Sequence, residues 1–75
     1  GLINELGRQM LDLGCHQAKK WMDMGTPIRI AINVSAHQFR QPDFTDIVAD
    51  ALRQSGLPPS LLELELTETV IMSDA

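Results

Sequence analysis

Two short apolar runs in this chain each close on hard oxygen donors. Ile30-Ala-Ile-Asn-Val-Ser35 carries the Asn33 amide near its carboxyl end, and Leu62-Glu-Leu-Glu-Leu-Thr-Glu68 carries the Glu65 and Glu68 carboxylates. In a strand, successive side chains point to opposite faces. Ile28, Ile30, Ile32 and Val34 then share one face, with Arg29, Ala31, Asn33 and Ser35 on the other. Leu62, Leu64 and Leu66 likewise oppose Leu61, Glu63, Glu65 and Thr67. A side-chain carbonyl beside a carboxylate suits Mg²⁺ or Mn²⁺, whereas zinc prefers nitrogen or sulfur. The residues alone leave a second reading open, in which Asn33 ties down a loop and Glu65 meets an arginine of another strand. Two ligands do not complete an octahedron, so a metal here needs further donors. Arg29 and Glu63 are expected to pair lower on the same face, because an unpaired charge inside a barrel is costly. Glu68 either accepts loop backbone donors or sits at a helix start, where the dipole favours a carboxylate.

The elements that must position these groups follow from spacing. Residues 2–24 are predicted to be a helix, with Leu2, Leu6, Met10, Leu13, Gln17 and Trp21 as its stripe and Ile3, Cys15, Ala18 and Met22 widening it. Gly14 lowers the local propensity and Gly25 is the expected stop. Residues 28–35 are a predicted strand, and Ser-Ala-His-Gln-Phe at 35–39 is read as a loop. Pro42 can open the next helix, whose buried stripe is Phe44, Ile47, Val48, Ala51 and Leu52, with Asp43 and Asp46 in its first turns. Gly56 ends that helix and Pro58-Pro59 prevents its continuation. Residues 61–67 are the second predicted strand. The order helix, strand, helix, strand gives two parallel strands joined by a crossover helix, with their carboxyl ends together. In a (β/α)8 barrel the polar face of each strand turns inward, and the carboxyl ends are where such enzymes build their sites.

Size and composition limit the rest. A chain of 75 residues is at most one small domain, and such a domain buries only about 60% of its unfolded surface. The net charge of -4 disfavours a DNA or RNA polymer as partner, although a cation can bridge an acidic site to a phosphate. A single cysteine, Cys15, excludes an internal disulfide and fits a reducing compartment. No apolar run approaches the roughly 20 residues that span a bilayer, and the first residues lack signal-peptide order. The expectation is a cytoplasmic protein with no membrane contact from this segment. His37 reads as an exposed loop residue and His16 as a helix-surface one. Ser35 has no recognisable base partner, and P-loop and dinucleotide motifs are absent.

Taken together, Trp-Met-Asp-Met-Gly at 21–25, Ile-Ala-Ile-Asn-Val-Ser-Ala-His-Gln-Phe-Arg at 30–40, Ser-Gly-Leu-Pro-Pro at 55–59 and Leu-Glu-Leu-Glu-Leu-Thr-Glu-Thr-Val-Ile-Met at 62–72 resemble the EAL domain family, phosphodiesterases of cyclic di-GMP. The resemblance covers essentially the whole chain. It implies a TIM-like (β/α)8 barrel of which residues 1–75 are a partial domain. The first strand and the carboxyl-terminal half of that barrel, with the Glu-Ala-Leu motif and the later acidic residues and lysine, are expected outside these residues. It also implies a two-ion Mg²⁺ or Mn²⁺ site that hydrolyses cyclic di-GMP to linear pGpG. Asn33 and Glu65 match the metal-binding residues, and Glu68 matches the carboxylate that steadies a loop at the site. Gln38 and Phe39 match the loop bordering the substrate. The isolated segment is expected to be inactive, and a homo-oligomer is compatible with it. The alternative is a segment of a catalytically inactive relative that serves as nucleotide receptor or protein-interaction module.

Overall fold

Leu2–Asp23 forms one long helix, α1. It ends where the sequence places Gly25, at a φ of 88°. There the N–H of Gly25 donates to Met22 O at 3.0 Å and that of Thr26 to Trp21 O at 2.9 Å. This is the paired closure of a Schellman cap, which satisfies the last carbonyls and favours glycine at the left-handed position. The chain then runs extended into strand β1, Ile30–Val34. A single-turn helix α2, Ala36–Phe39, and a longer helix α3, Phe44–Ser55, lead through a 3-10 turn at Pro59–Leu61 to strand β2, Leu62–Leu66. The computed structural model describes the backbone of residues 2–66 and the side chains of residues 5–66.

The two strands pair in parallel, in the register Ile30↔Leu62 through Val34↔Leu66. The fold is thus α/β, with the expected alternation and one addition. The stretch 35–39, expected as a loop, contains α2, because Ser35 and Gln38 form a reciprocal capping box. The second long helix begins at Phe44 rather than Pro42. Gln41 to Asp43 make a turn closed by Phe44 N–H on Gln41 O at 3.1 Å, and Asp43 occupies the cap position without a side-chain cap bond.

Both long helices cover the Ile/Leu face of the sheet. The buried core is Leu11, Cys15, Ala18, Ala51 and Leu57, flanked by Ile30, Ile32, Ile47, Val48, Leu52, Leu61 and Leu62. For α3 this matches the expected stripe. For α1 it does not. Leu6, Met10 and Leu13 are 54%, 60% and 68% exposed, and the buried line is Leu11, Cys15 and Ala18. The helix is apolar on two adjoining sides, and periodicity cannot say which one meets the sheet. Gly14 decides it: a methyl there would lie 3.0 Å from Ile32 Cδ1 and 3.3 Å from Ile30 Cδ1. The missing side chain lets the helix backbone approach β1.

Candidate metal centre

Register brings the predicted ligands together. Asn33 and Glu65 are direct partners across the parallel ladder, so their side chains leave the same face on strands about 4.8 Å apart. Both are exposed, on the face opposite Ile32 and Val34 and one residue short of the end of each strand. A carbonyl oxygen and a carboxylate oxygen side by side are donor types that a hard cation takes, and two of them leave most positions of an octahedron to other donors. Among the described residues no group of three or more His, Cys, Asp or Glu gathers to complete it. Glu68 lies outside the described residues.

Lower on the same face Arg29 and Glu63 approach to 4.0 Å, the ion pair expected from alternation. Its partners are about half to two-thirds exposed, so its contribution to stability is at most ~1 kcal/mol.

The turn after Asn33 is built by Ser35 and Gln38. The Gln38 side-chain oxygen accepts from the Ser35 backbone N–H at 3.0 Å and from the Ser35 hydroxyl at 3.2 Å. The Gln38 N–H in turn donates to Ser35 Oγ at 3.1 Å. Ser35 is therefore a structural cap, in line with its lack of a base partner. The pattern Ser-x-x-Gln was the available signal for α2. A single turn has no periodicity to read, so hydrophobic spacing does not reveal it. Phe39 follows and is 54% exposed. It packs tilted on Phe44, with centroids 5.6 Å apart and planes at 60°. Phe39, Phe44 and Glu65 help to line a small cavity of about 120 Å³ beside Val34, Leu64 and Leu66. Phe39 and Glu65 thus both border one space at the carboxyl end of the sheet. A wider open groove of about 1000 Å³ runs along the other side of β1, bordered by Asn33, Gln38 and the Leu6, Met10 and Leu13 side of α1.

The remaining candidates form no metal-holding group among the described residues. His37 and His16 are exposed, and His16 Nδ1 sits 2.8 Å from Asp12 O on its own helix. Cys15 is fully buried, and its thiol pKa is pushed up by burial first and by the Asp12 carboxylate second.

With this geometry in hand, the comparisons are specific. The EAL domain model matches residues 1–75. The signalling protein YkoW of Bacillus subtilis is 42% identical over 74 residues, covering 99% of this chain and 9% of that protein. The bifunctional diguanylate cyclase/cyclic di-GMP phosphodiesterase MucR of Pseudomonas aeruginosa is 43% identical over 76 residues, covering all of this chain and 11% of that one. Among solved structures, the PaMucR phosphodiesterase in complex with c-di-GMP superposes with a TM-score of 0.88 at 43% identity, over 99% of this chain and 30% of that chain. The chain therefore spans about a tenth of the length of these curated relatives and under a third of the solved domain.

Proposed function

The chain belongs to the EAL domain family, and from that premise we propose that it is a segment of a metal-dependent phosphodiesterase that hydrolyses cyclic di-GMP to linear pGpG. The observation that carries the reading is the pairing of Asn33 with Glu65 at the carboxyl end of a parallel ladder, in a chain that superposes on a solved phosphodiesterase in complex with c-di-GMP.

In this reading the Asn33 side-chain oxygen and the Glu65 carboxylate would hold Mg²⁺ or Mn²⁺ from adjacent strands, within a two-ion site that other parts of the complete domain would finish. Their chemistry fits: both are hard oxygen donors, neither is consumed by a salt bridge in the described structure, and both face away from the core. A divalent ion supplies an activated nucleophile at neutral pH and offsets negative charge on phosphoryl oxygens. The chain's own residues supply position. Asn33 and Glu65 would set two ligand directions from the ladder, and the half-exposed Phe39 would offer an aromatic face on which a purine base can stack. Gln38 lies in α2, in the turn that is assigned to border the nucleotide. Glu68 is assigned the support of a loop at the metal site. The net charge of -4 makes the cation essential to the reading, since a bare acidic mouth repels a phosphodiester. No helix among the described residues is long and apolar enough to cross a membrane, and the proposed location is the cytoplasm. The 75-residue segment by itself is assigned no turnover, because two ligands and one flank of the mouth do not make the site.

The test is chromatographic detection of pGpG from cyclic di-GMP by the whole protein, with Mg²⁺ or Mn²⁺ and with chelator. Metal-dependent pGpG formation supports the phosphodiesterase. Tight nucleotide binding without turnover assigns the inactive receptor instead.

A further inference from the structure

We infer that Gln38 is a positioning residue: with Gly7 of α1 it forms a latch that seats the turn after β1 against the helix and so fixes the strand end that carries Asn33. The kinetic part of its test rests on the metal-dependent reading above; the latch itself does not.

The cap accounts for one end of the Gln38 carboxamide. Its oxygen takes both the Ser35 backbone N–H and the Ser35 hydroxyl, which uses the two lone pairs of a carbonyl. The other end lies over α1. A methyl group at Gly7 would overlap the Gln38 side-chain nitrogen and come within 2.7 Å of its Cδ. The amide therefore fills a notch that exists only because residue 7 has no side chain. A helix of four residues does not hold its own conformation, so the orientation of α2 depends on the cap and the notch together. Ser35, the residue they fix, stands two positions after Asn33, and Asn33 and Gln38 border the same groove along β1. An oxygen committed to Ser35 has no lone pair left for a nucleotide. The effect of Gln38 on chemistry runs through the backbone of Ser35 to the direction of the Asn33 amide.

The test uses the whole protein and has two arms. The first is a thermal-unfolding double-mutant cycle between Gly7→Ala and Gln38→Ala. Alanine normally favours a helix over glycine. Gly7→Ala is expected to lower the midpoint while Gln38 is present and to raise it in the Gln38→Ala background. Additive effects of one sign would overturn the latch. The second arm measures cyclic di-GMP turnover against Mg²⁺ and against nucleotide. Gln38→Ala is expected to raise the half-saturating Mg²⁺ by about 10-fold, the low end for groups that support a metal ligand, with the nucleotide KM at saturating metal held. Gln38→Glu is expected to recover most of this loss, because a carboxylate accepts the same two Ser35 bonds. A raised nucleotide KM with unchanged metal dependence and no rescue by Gln38→Glu would make Gln38 a contact residue and overturn the proposal. If the wild-type protein shows no turnover, the functional reading fails by itself and the thermal cycle decides the latch.

Discussion

Asn33 and Glu65 matter through position more than through residue type. Either side chain alone is an ordinary polar group on a strand. Side by side on a parallel ladder, they are proposed to offer a cation two oxygens. Asn33→Ala or Glu65→Ala in the whole protein is expected to lower metal-dependent pGpG formation by at least about 100-fold, above the range seen when only a supporting group is removed. Measuring kcat at several Mg²⁺ concentrations checks this, and activity within a few-fold of wild type would remove the assignment. Cys15 gives a second test at this scale. Its thiol is buried, and burial with the nearby Asp12 raises its pKa above the ordinary 9.0. The native protein is expected to leave Cys15 unlabelled by a thiol reagent at pH 8, with labelling appearing on unfolding. The sign for stability follows from the raised value. The contribution is fully present below the unfolded thiol pKa and is lost as pH rises through the higher folded value, so alkaline titration is expected to destabilise the fold.

At the scale of elements, two helix ends and one helix–strand contact place the strands that carry Asn33 and Glu65. The Schellman closure at Gly25 stops α1 and turns the chain toward β1. An L-residue in that left-handed position costs about 1–2 kcal/mol. Gly25→Ala is therefore expected to lower the unfolding free energy of the whole domain by about 1 kcal/mol, readable as a lower denaturant midpoint with an unchanged slope. Gly14 is more demanding. The space for its missing side chain is filled by Ile32 and Ile30, so Gly14→Val pushes α1 away from β1. The expected loss is about 1–3 kcal/mol, the usual cost of overpacking. Because β1 carries Asn33, the same variant is expected to weaken metal-dependent activity, whereas Gly25→Ala leaves the strand's contact with α1 intact. Gly56 closes α3 in the same left-handed way, donating to Leu52 O at 2.9 Å.

At the scale of the molecule, the segment covers one side of a sheet and leaves other apolar surfaces open. Leu6, Met10, Leu13 and Met24 on and just after α1, and Leu64 and Leu66 on β2, are all exposed by a third or more. The radius of gyration is 13.0 Å, against about 11 Å for a compact domain of this length. Among the described residues each strand has one unpaired edge, and such edges template further pairing. These features fit a part of a (β/α)8 barrel, the fold of the phosphodiesterase on which the chain superposes. The 75-residue segment in isolation is expected to elute from gel filtration as larger than a monomer and to melt without a sharp transition by circular dichroism. A compact, cooperatively melting monomer would contradict this.

The sequence determined the alternation of helix and strand, the parallel direction of the strands and the face on which Asn33 and Glu65 lie. These depend on local signals: a period of two, apolar stripes, and glycine or proline stops. It also carried enough motif for the family, because the donor-bearing strand ends and the turns beside them are specific when read together. Only the tertiary structure set Asn33 opposite Glu65, since register is a relation between strands that neither strand contains. Only packing chose Leu11, Cys15 and Ala18 over Leu6, Met10 and Leu13 as the inner side of α1, because two apolar stripes on one helix are equivalent until a neighbour covers one. The same holds for Gly7 and Gly14. In sequence they are weak spots in a helix; in the folded chain they are the places where Gln38 and the β1 isoleucines fit against it.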